Sequence, residues 1–152
     1  MTNQAETIKA TCLRLLARRE HSHKELLTKL QLKGFSPEDC TPIIEQLTQQ
    51  NWQSDARYAE SYARHRIQQG YGPIAIKFEL SRNGITDFNL DAVVSLLADS
   101  WQTHLQQVYV KKYRNINPLN ASEYAKRSRF LLQRGFPSSM VNQLLTHLNQ
   151  LD

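Results

Sequence analysis

Residues 30–35 read Leu30-Gln31-Leu32-Lys33-Gly34-Phe35, and the pattern returns as LSRNGI over 80–85 and as LLQRGF over 131–136. In each copy a leucine (Leu30, Leu80, Leu131) stands four residues before a glycine (Gly34, Gly84, Gly135), and a branched or aromatic residue follows the glycine. The glycines are 50 and then 51 residues apart. Downstream of them, apolar residues fall at Cys40, Ile43, Ile44 and Leu47, at Leu90, Val93, Val94 and Leu97, and at Val141, Leu144, Leu145 and Leu148. Each set is the i, i+3, i+4, i+7 face of an amphipathic helix. Self-similarity at a fixed period marks a repeat protein.

Two further helical segments precede each glycine, so the unit has three helices and occurs three times. The expected helices are 7–19, 23–33 and 37–50; 55–69, 73–83 and 87–98; and 100–114, 121–134 and 138–150. Local punctuation agrees. Ser22 and Glu25 have capping-box spacing, as do Asn120 and Glu123. Ser36-Pro37 supplies an N-cap and a proline at the first helical position, and Gly34 a left-handed residue past a helix end. Nothing reads as a strand. The fold is therefore expected to be all-α, three tandem helix-turn-helix-like repeats over 1–53, 54–98 and 99–152 in an elongated, curved array. The loop RNINPLNAS (114–122) is its one long connection.

The stretch Gly70-Tyr71-Gly72-Pro73 invites a second reading, as a phosphate cradle. That chemistry needs a preceding strand and either a third glycine or a Gly-Lys-Ser/Thr ending, and the sequence has neither. As a corner between helices the residues make sense: Gly70 ends one helix, and Gly72 and Pro73 cap and start the next. Tyr71 is then placed to staple against Ile76. On this reading Gly72→Ala carries a modest cost in stability and Gly70→Val a larger one.

Of 152 residues, 40% are hydrophobic and 22% charged, which suits a globular chain, and the net charge of +5 suits a partner with a negative surface. The charge is uneven: +1 over 1–53, 0 over 54–98 and +4 over 99–152. Cys12 and Cys40 are the only cysteines, without metal-ligand spacing, and are expected to be buried apolar residues. No targeting segment or long apolar run is seen, so the chain is expected to be cytoplasmic, with no membrane association. His21 and His23 do not share a helix face, His65, His104 and His147 are isolated, and the carboxylates are scattered. The expectation is no enzyme activity, no cofactor and no metal.

The candidate contact residues are basic. Lys111, Lys112 and Arg114 close a helix, where cations also complement the macrodipole. Lys126, Arg127, Arg129 and Arg134 read as a stripe for an acidic or nucleic-acid surface, with Lys126 and Arg127 solvated. Arg57 and Arg66 read first as partners of nearby acidic residues. Tyr58, Tyr62, Trp101, Tyr109 and Tyr113 have the spacing of core residues.

The segment SDARYAESYARHRIQQGYGPIAIKFELSRNGI (54–85) resembles the central signature of the RecX family of bacterial recombination regulators, and the likeness extends to LARREHSHKELLTKLQLKGF before it and RFLLQRGF after it. Asp55, Arg57, Tyr58, Arg66, Gly70, Gly72, Pro73, Leu80 and Gly84 carry it in the centre. Glu20, Ser22, Glu25, Leu26, Leu30 and Gly34 carry it in the first repeat, and Arg129, Phe130, Leu131, Arg134, Gly135 and Phe136 in the third. Many members have a basic residue at the position of Ala75 and a lysine or glutamine at that of Asn83, which leaves Lys77 and Arg82 as cations of that helix. The resemblance implies three tandem three-helix repeats and a monomer that binds the RecA filament on single-stranded DNA. It also implies inhibition of filament growth, ATP hydrolysis, strand exchange and coprotease activity, and hence a part in DNA repair, recombination and the SOS response. The contact candidates are then Arg66, Lys77, Arg82, Lys111, Lys112, Arg114, Lys126, Arg127, Arg129 and Arg134, with Gly34, Gly70, Gly72, Pro73, Gly84 and Gly135 as structural signature. The rival reading is a helix-turn-helix transcriptional regulator. Against it, the third helix of each repeat carries no Lys or Arg to read bases or phosphates.

Overall fold

The computed structural model describes residues 3–114 and 119–149. Among them are nine helices and no strand: α1 (Gln4–Arg18), α2 (His23–Leu32), α3 (Pro37–Gln49), α4 (Asp55–Gln68), α5 (Pro73–Arg82), α6 (Leu90–Ala98), α7 (Trp101–Lys112), α8 (Ala121–Gln133) and α9 (Ser138–Asn149). The chain is all-α, with tandem three-helix repeats. The middle of the 114–122 connection lies outside the described residues.

The recurring Leu-x-x-x-Gly pattern is a helix stop. Gly34, Gly84 and Gly135 have φ of +97°, +85° and +93°. Beyond each, the next residue's amide reaches back to the leucine: Phe35 to the Leu30 carbonyl at 3.2 Å, Ile85 to Leu80 at 2.9 Å and Phe136 to Leu131 at 3.3 Å. This is the 6→1 bond of a Schellman motif, whose accompanying apolar contact joins the residue after the glycine to the position that the leucine occupies. The three sequence features of the repeat thus follow from one piece of backbone geometry.

Helix starts are equally explicit. Ser22 accepts from the Glu25 amide while the Glu25 carboxylate accepts from the Ser22 amide, completing the capping box. Asn120 accepts from the Glu123 amide at 2.8 Å, but the Glu123 carboxylate pairs with Arg127.

The described chain divides into two compact units, residues up to 62 with 80–88, and 63–79 with 89 onward. In the first, Ile8, Cys12, Leu26, Leu30, Cys40, Ile44 and Leu47 form a fully buried core between α1, α2 and α3. Both thiols are buried, and burial, with Cys40 alongside, pushes the Cys12 thiol up to about 11. In the second, Leu105, Tyr109, Leu131, Phe136, Val141 and Leu145 form the core between α7, α8 and α9. Tyr58 and Tyr109 are core residues as expected, while Tyr62, Trp101 and Tyr113 are half-buried.

Candidate functional site

The signature residues of the first unit make a polar joint. The Asp55 carboxylate accepts from the His23 amide at 2.8 Å, capping α2, and from Gln53 Nε2 at 2.9 Å. Gln53, nearly inaccessible, also donates to the His21 carbonyl at 3.2 Å and accepts from Thr48 at 2.6 Å. Arg57 pairs with Glu20 at 3.0 Å and donates to the Asn51 carbonyl at 2.8 Å. Asn83 donates to the Tyr58 hydroxyl at 2.8 Å. The buried Gln53 amide thus has partners for both its oxygen and its nitrogen, as burial requires. His21 is buried, accepts from the Lys29 ammonium on Nε2 and donates from Nδ1 to the Arg19 carbonyl; desolvation lowers its pKa.

In the second unit the Gly70-to-Pro73 stretch docks on a second glycine loop. The Gly72 amide donates to the Arg134 carbonyl at 2.7 Å, and the Ile74 amide to the Gly135 carbonyl at 2.9 Å. A Cβ on Gly72 would lie 2.6 Å from the Gly135 oxygen and 2.8 Å from Phe136 Cγ, and one on Gly135 would overlap Ala75. The corner reading therefore needs correction. The loop does connect two helices, but Gly72 is required because two backbones touch there, so an added methyl is not a modest change. Ala75 is also accounted for: its short side chain faces Gly135 at a point with no spare room. Gly70 has the other requirement, a φ of +91°.

The aromatic residue of this loop, Tyr71, is flanked by two arginines. The Tyr71 ring lies under the Arg66 guanidinium at 3.6 Å and the Arg134 guanidinium at 4.7 Å. Arg66 makes a two-pronged pair with Glu79 at 2.9 and 3.0 Å and bonds Gln69 at 2.8 Å, which fits the acidic-partner reading. The Tyr71 carbonyl accepts from buried His104 Nε2 at 3.0 Å, and desolvation lowers the His104 pKa.

The basic stripe on α8 does not form as the spacing suggested. Lys126 and Arg129 are exposed, but Arg127 is only 9% exposed. Its guanidinium donates to the Tyr109 hydroxyl at 2.8 Å and Glu123 at 3.2 Å, and lies 4.5 Å from the centre of the Tyr113 ring. An arginine reaches inward here because its planar head can meet a phenol, a carboxylate and an aromatic face at once. Arg134, the C-cap of α8, donates to the Gln69 carbonyl at 3.1 Å. Lys77 and Arg82 are exposed on α5, and Lys111, Lys112 and Arg114 are exposed at the end of α7.

The structure thus separates the predicted cations into those engaged by the fold, Arg66, Arg127 and Arg134, and an exposed set. It also brings Arg134 beside Lys111 and Lys112, around a cavity of about 520 Å³ whose other walls include Gln69, Gln107 and Phe130. No spacing in the sequence pointed to that grouping, since its members lie on different helices. Among the described residues no three His, Cys, Asp or Glu side chains are placed to hold a metal ion, and no helix is long and apolar enough to cross a membrane.

Fold and joints define a tandem three-helix repeat protein. Residues 9–47, 54–94 and 99–145 match the first, second and third three-helix domains of RecX. The chain is 38% identical over 139 residues to the regulatory protein RecX of Pseudomonas fluorescens, covering 91% of this chain and 90% of that protein. It is also 38% identical to that of Legionella pneumophila, over 88% and 89% of the two chains. The crystal structure of RecX from Lactobacillus salivarius has the same fold, with a TM-score of 0.74 at 21% identity over 99% of this chain and all of that one. A second RecX crystal structure gives 0.73 at 23% identity over 95% and 72%. The protein belongs to the RecX family of regulatory proteins.

Proposed function

We propose that this protein binds the RecA recombinase filament on single-stranded DNA and restrains its growth, ATP hydrolysis, strand exchange and coprotease activity, and so modulates recombination, DNA repair and the SOS response. The observation that carries this reading is the match to relatives named regulatory protein RecX along nine-tenths of the chain. Their shared name says regulation, and the filament is the target that the resemblance implies. The protein acts as a cytoplasmic monomer without catalysis or cofactor. Such a protein works by binding one state of its target more tightly than another, which shifts the target between states.

The exposed cations Lys77, Arg82, Lys111, Lys112, Arg114, Lys126 and Arg129 are the contact candidates that retain an exposed charge. Phosphates and acidic protein surface on the filament are their complement, and such charges act mainly on encounter rate and salt-dependent affinity. Engaged arginines such as Arg66 and Arg127 hold the repeats in shape.

The test is the single-stranded-DNA-dependent ATPase of purified RecA with and without the protein. Slowed hydrolysis supports the reading. Unchanged hydrolysis with folded protein, together with sequence-specific retention of duplex DNA, would replace it with a helix-turn-helix regulator.

A further inference from the structure

The cavity ringed by Lys111, Lys112 and Arg134 has a chemistry that binding to phosphates alone does not explain. It lies wholly within the second compact unit, between the end of α4, α6, α7 and α8. Its volume of about 520 Å³ is in the range of small-ligand and side-chain pockets. Ile67, Leu97, Ala98 and Val108 supply apolar wall, Gln68, Gln69 and Gln107 supply side-chain amides, and none of the lining residues is acidic. Lys111 and Lys112 are exposed at its rim.

Two classes of anion carry apolar matter into such a place, nucleic acid through its bases and acidic peptide through its side chains. Bases bind single-strand sites by stacking on open aromatic faces. The aromatic rings here are Phe130 and His104, and both are engaged. Lys112 and Arg134 each lie 5.2 Å from the Phe130 centroid, and Tyr113 packs edge-on against it at 5.7 Å. His104 is buried against Trp101 and Phe136. What the cavity offers instead is aliphatic wall for a leucine- or phenylalanine-sized anchor, amides for peptide groups, and cations for flanking carboxylates.

We propose that this cavity is a docking site for an acidic peptide segment carrying a large apolar anchor, with Lys111, Lys112 and Arg134 facing its carboxylates. The proposal stands on the charge and chemistry of the cavity and does not depend on which protein supplies the peptide.

The experiment is fluorescence anisotropy of the full-length protein with a labelled peptide of about ten residues, a leucine-phenylalanine pair flanked by aspartates and glutamates. Saturable binding is expected, weakened roughly tenfold or more by Lys111→Glu with Lys112→Glu. The same charge change on exposed Arg14 and Arg18 of α1 should cost far less. Gln107→Trp, which fills the cavity and keeps its charge, should also abolish tight binding while circular dichroism stays that of wild type. An all-acidic peptide without the anchor should bind roughly tenfold more weakly. Equal binding of that peptide, or equal loss from the α1 pair, would reduce the effect to net charge and overturn the proposal. Displacement by oligothymidylate as readily as by unlabelled peptide would assign the cavity to nucleic acid and overturn it too, as would the absence of binding. Because no filament is present in the assay, none of these failures touches the ATPase result.

Discussion

Replacing Gly72 by alanine should damage the second unit far more than its place at a helix start suggests. As an N-cap exchange alone, glycine to alanine costs about 1 kcal/mol or less. The structure adds a collision, because the new Cβ would sit 2.6 Å from the Gly135 carbonyl oxygen and 2.7 Å from its carbon. That is about 0.8 Å inside an ordinary carbon contact, and the obstacle is backbone, with no rotamer to change. Separating the loops stretches the Gly72 to Arg134 and Ile74 to Gly135 hydrogen bonds, now 2.7 and 2.9 Å. Two hydrogen bonds at about 1 kcal/mol each, with an overpacking cost of about 1–3 kcal/mol, give a loss of about 3–5 kcal/mol. For a chain of this size that corresponds to a thermal midpoint lower by roughly 6–20 °C. Urea and thermal melts followed by circular dichroism measure it. A loss near 1 kcal/mol or less would mean that the loops separate at little cost and that the argument from contact is wrong.

Gly70→Val should be destabilising for a different reason, a β-branched side chain forced to a φ of +91°; a melting point equal to that of wild type would contradict this. Arg127→Ala should cost about 2–3 kcal/mol in a urea titration, because it strips the buried Tyr109 hydroxyl of its donor, while Lys126→Ala should stay within about 0.5 kcal/mol of wild type. His21 and His104 have lowered pKa values through burial, so the unfolded chain takes up more protons below its own pKa near 6.5. Their contribution is whole above that pH and is lost as pH falls below it, at up to about 1.4 kcal/mol per pH unit for each histidine. Urea midpoints between pH 7.5 and 5 should show the fall, and His104→Gln, which keeps a donor for the Tyr71 carbonyl without titrating, should flatten it. Removing Lys126 and Arg129 together should reduce the slope of log filament affinity against log salt by about 0.7 for each phosphate that is no longer neutralised, and an unchanged slope would move the binding surface elsewhere. Arg14 and Arg18, exposed on α1, are the control pair for that experiment.

The sequence by itself determined the helices, their order and their stops, because these are local matters. A capping serine acts on an amide three residues on, a glycine frees a backbone that must turn left-handed, and an apolar face repeats with the helical period. Leu30 with Gly34 and Phe35, Ser22 with Glu25, and the proline at Pro37 were legible on those grounds, as was the threefold repetition. What only the tertiary structure decided are relations between distant residues. Gly72 meets Gly135 across 63 positions, and nothing in either loop announces the other. Lys126 and Arg127 look alike as neighbours in a chain, yet a helix turns successive residues about 100° apart, and that turn sends one to solvent and the other to the Tyr109 hydroxyl. The cavity beside Lys111, Lys112 and Arg134 follows from the same cause, since the packing of helices, and no spacing along the chain, gathers charges from α7 and the end of α8 around one apolar wall.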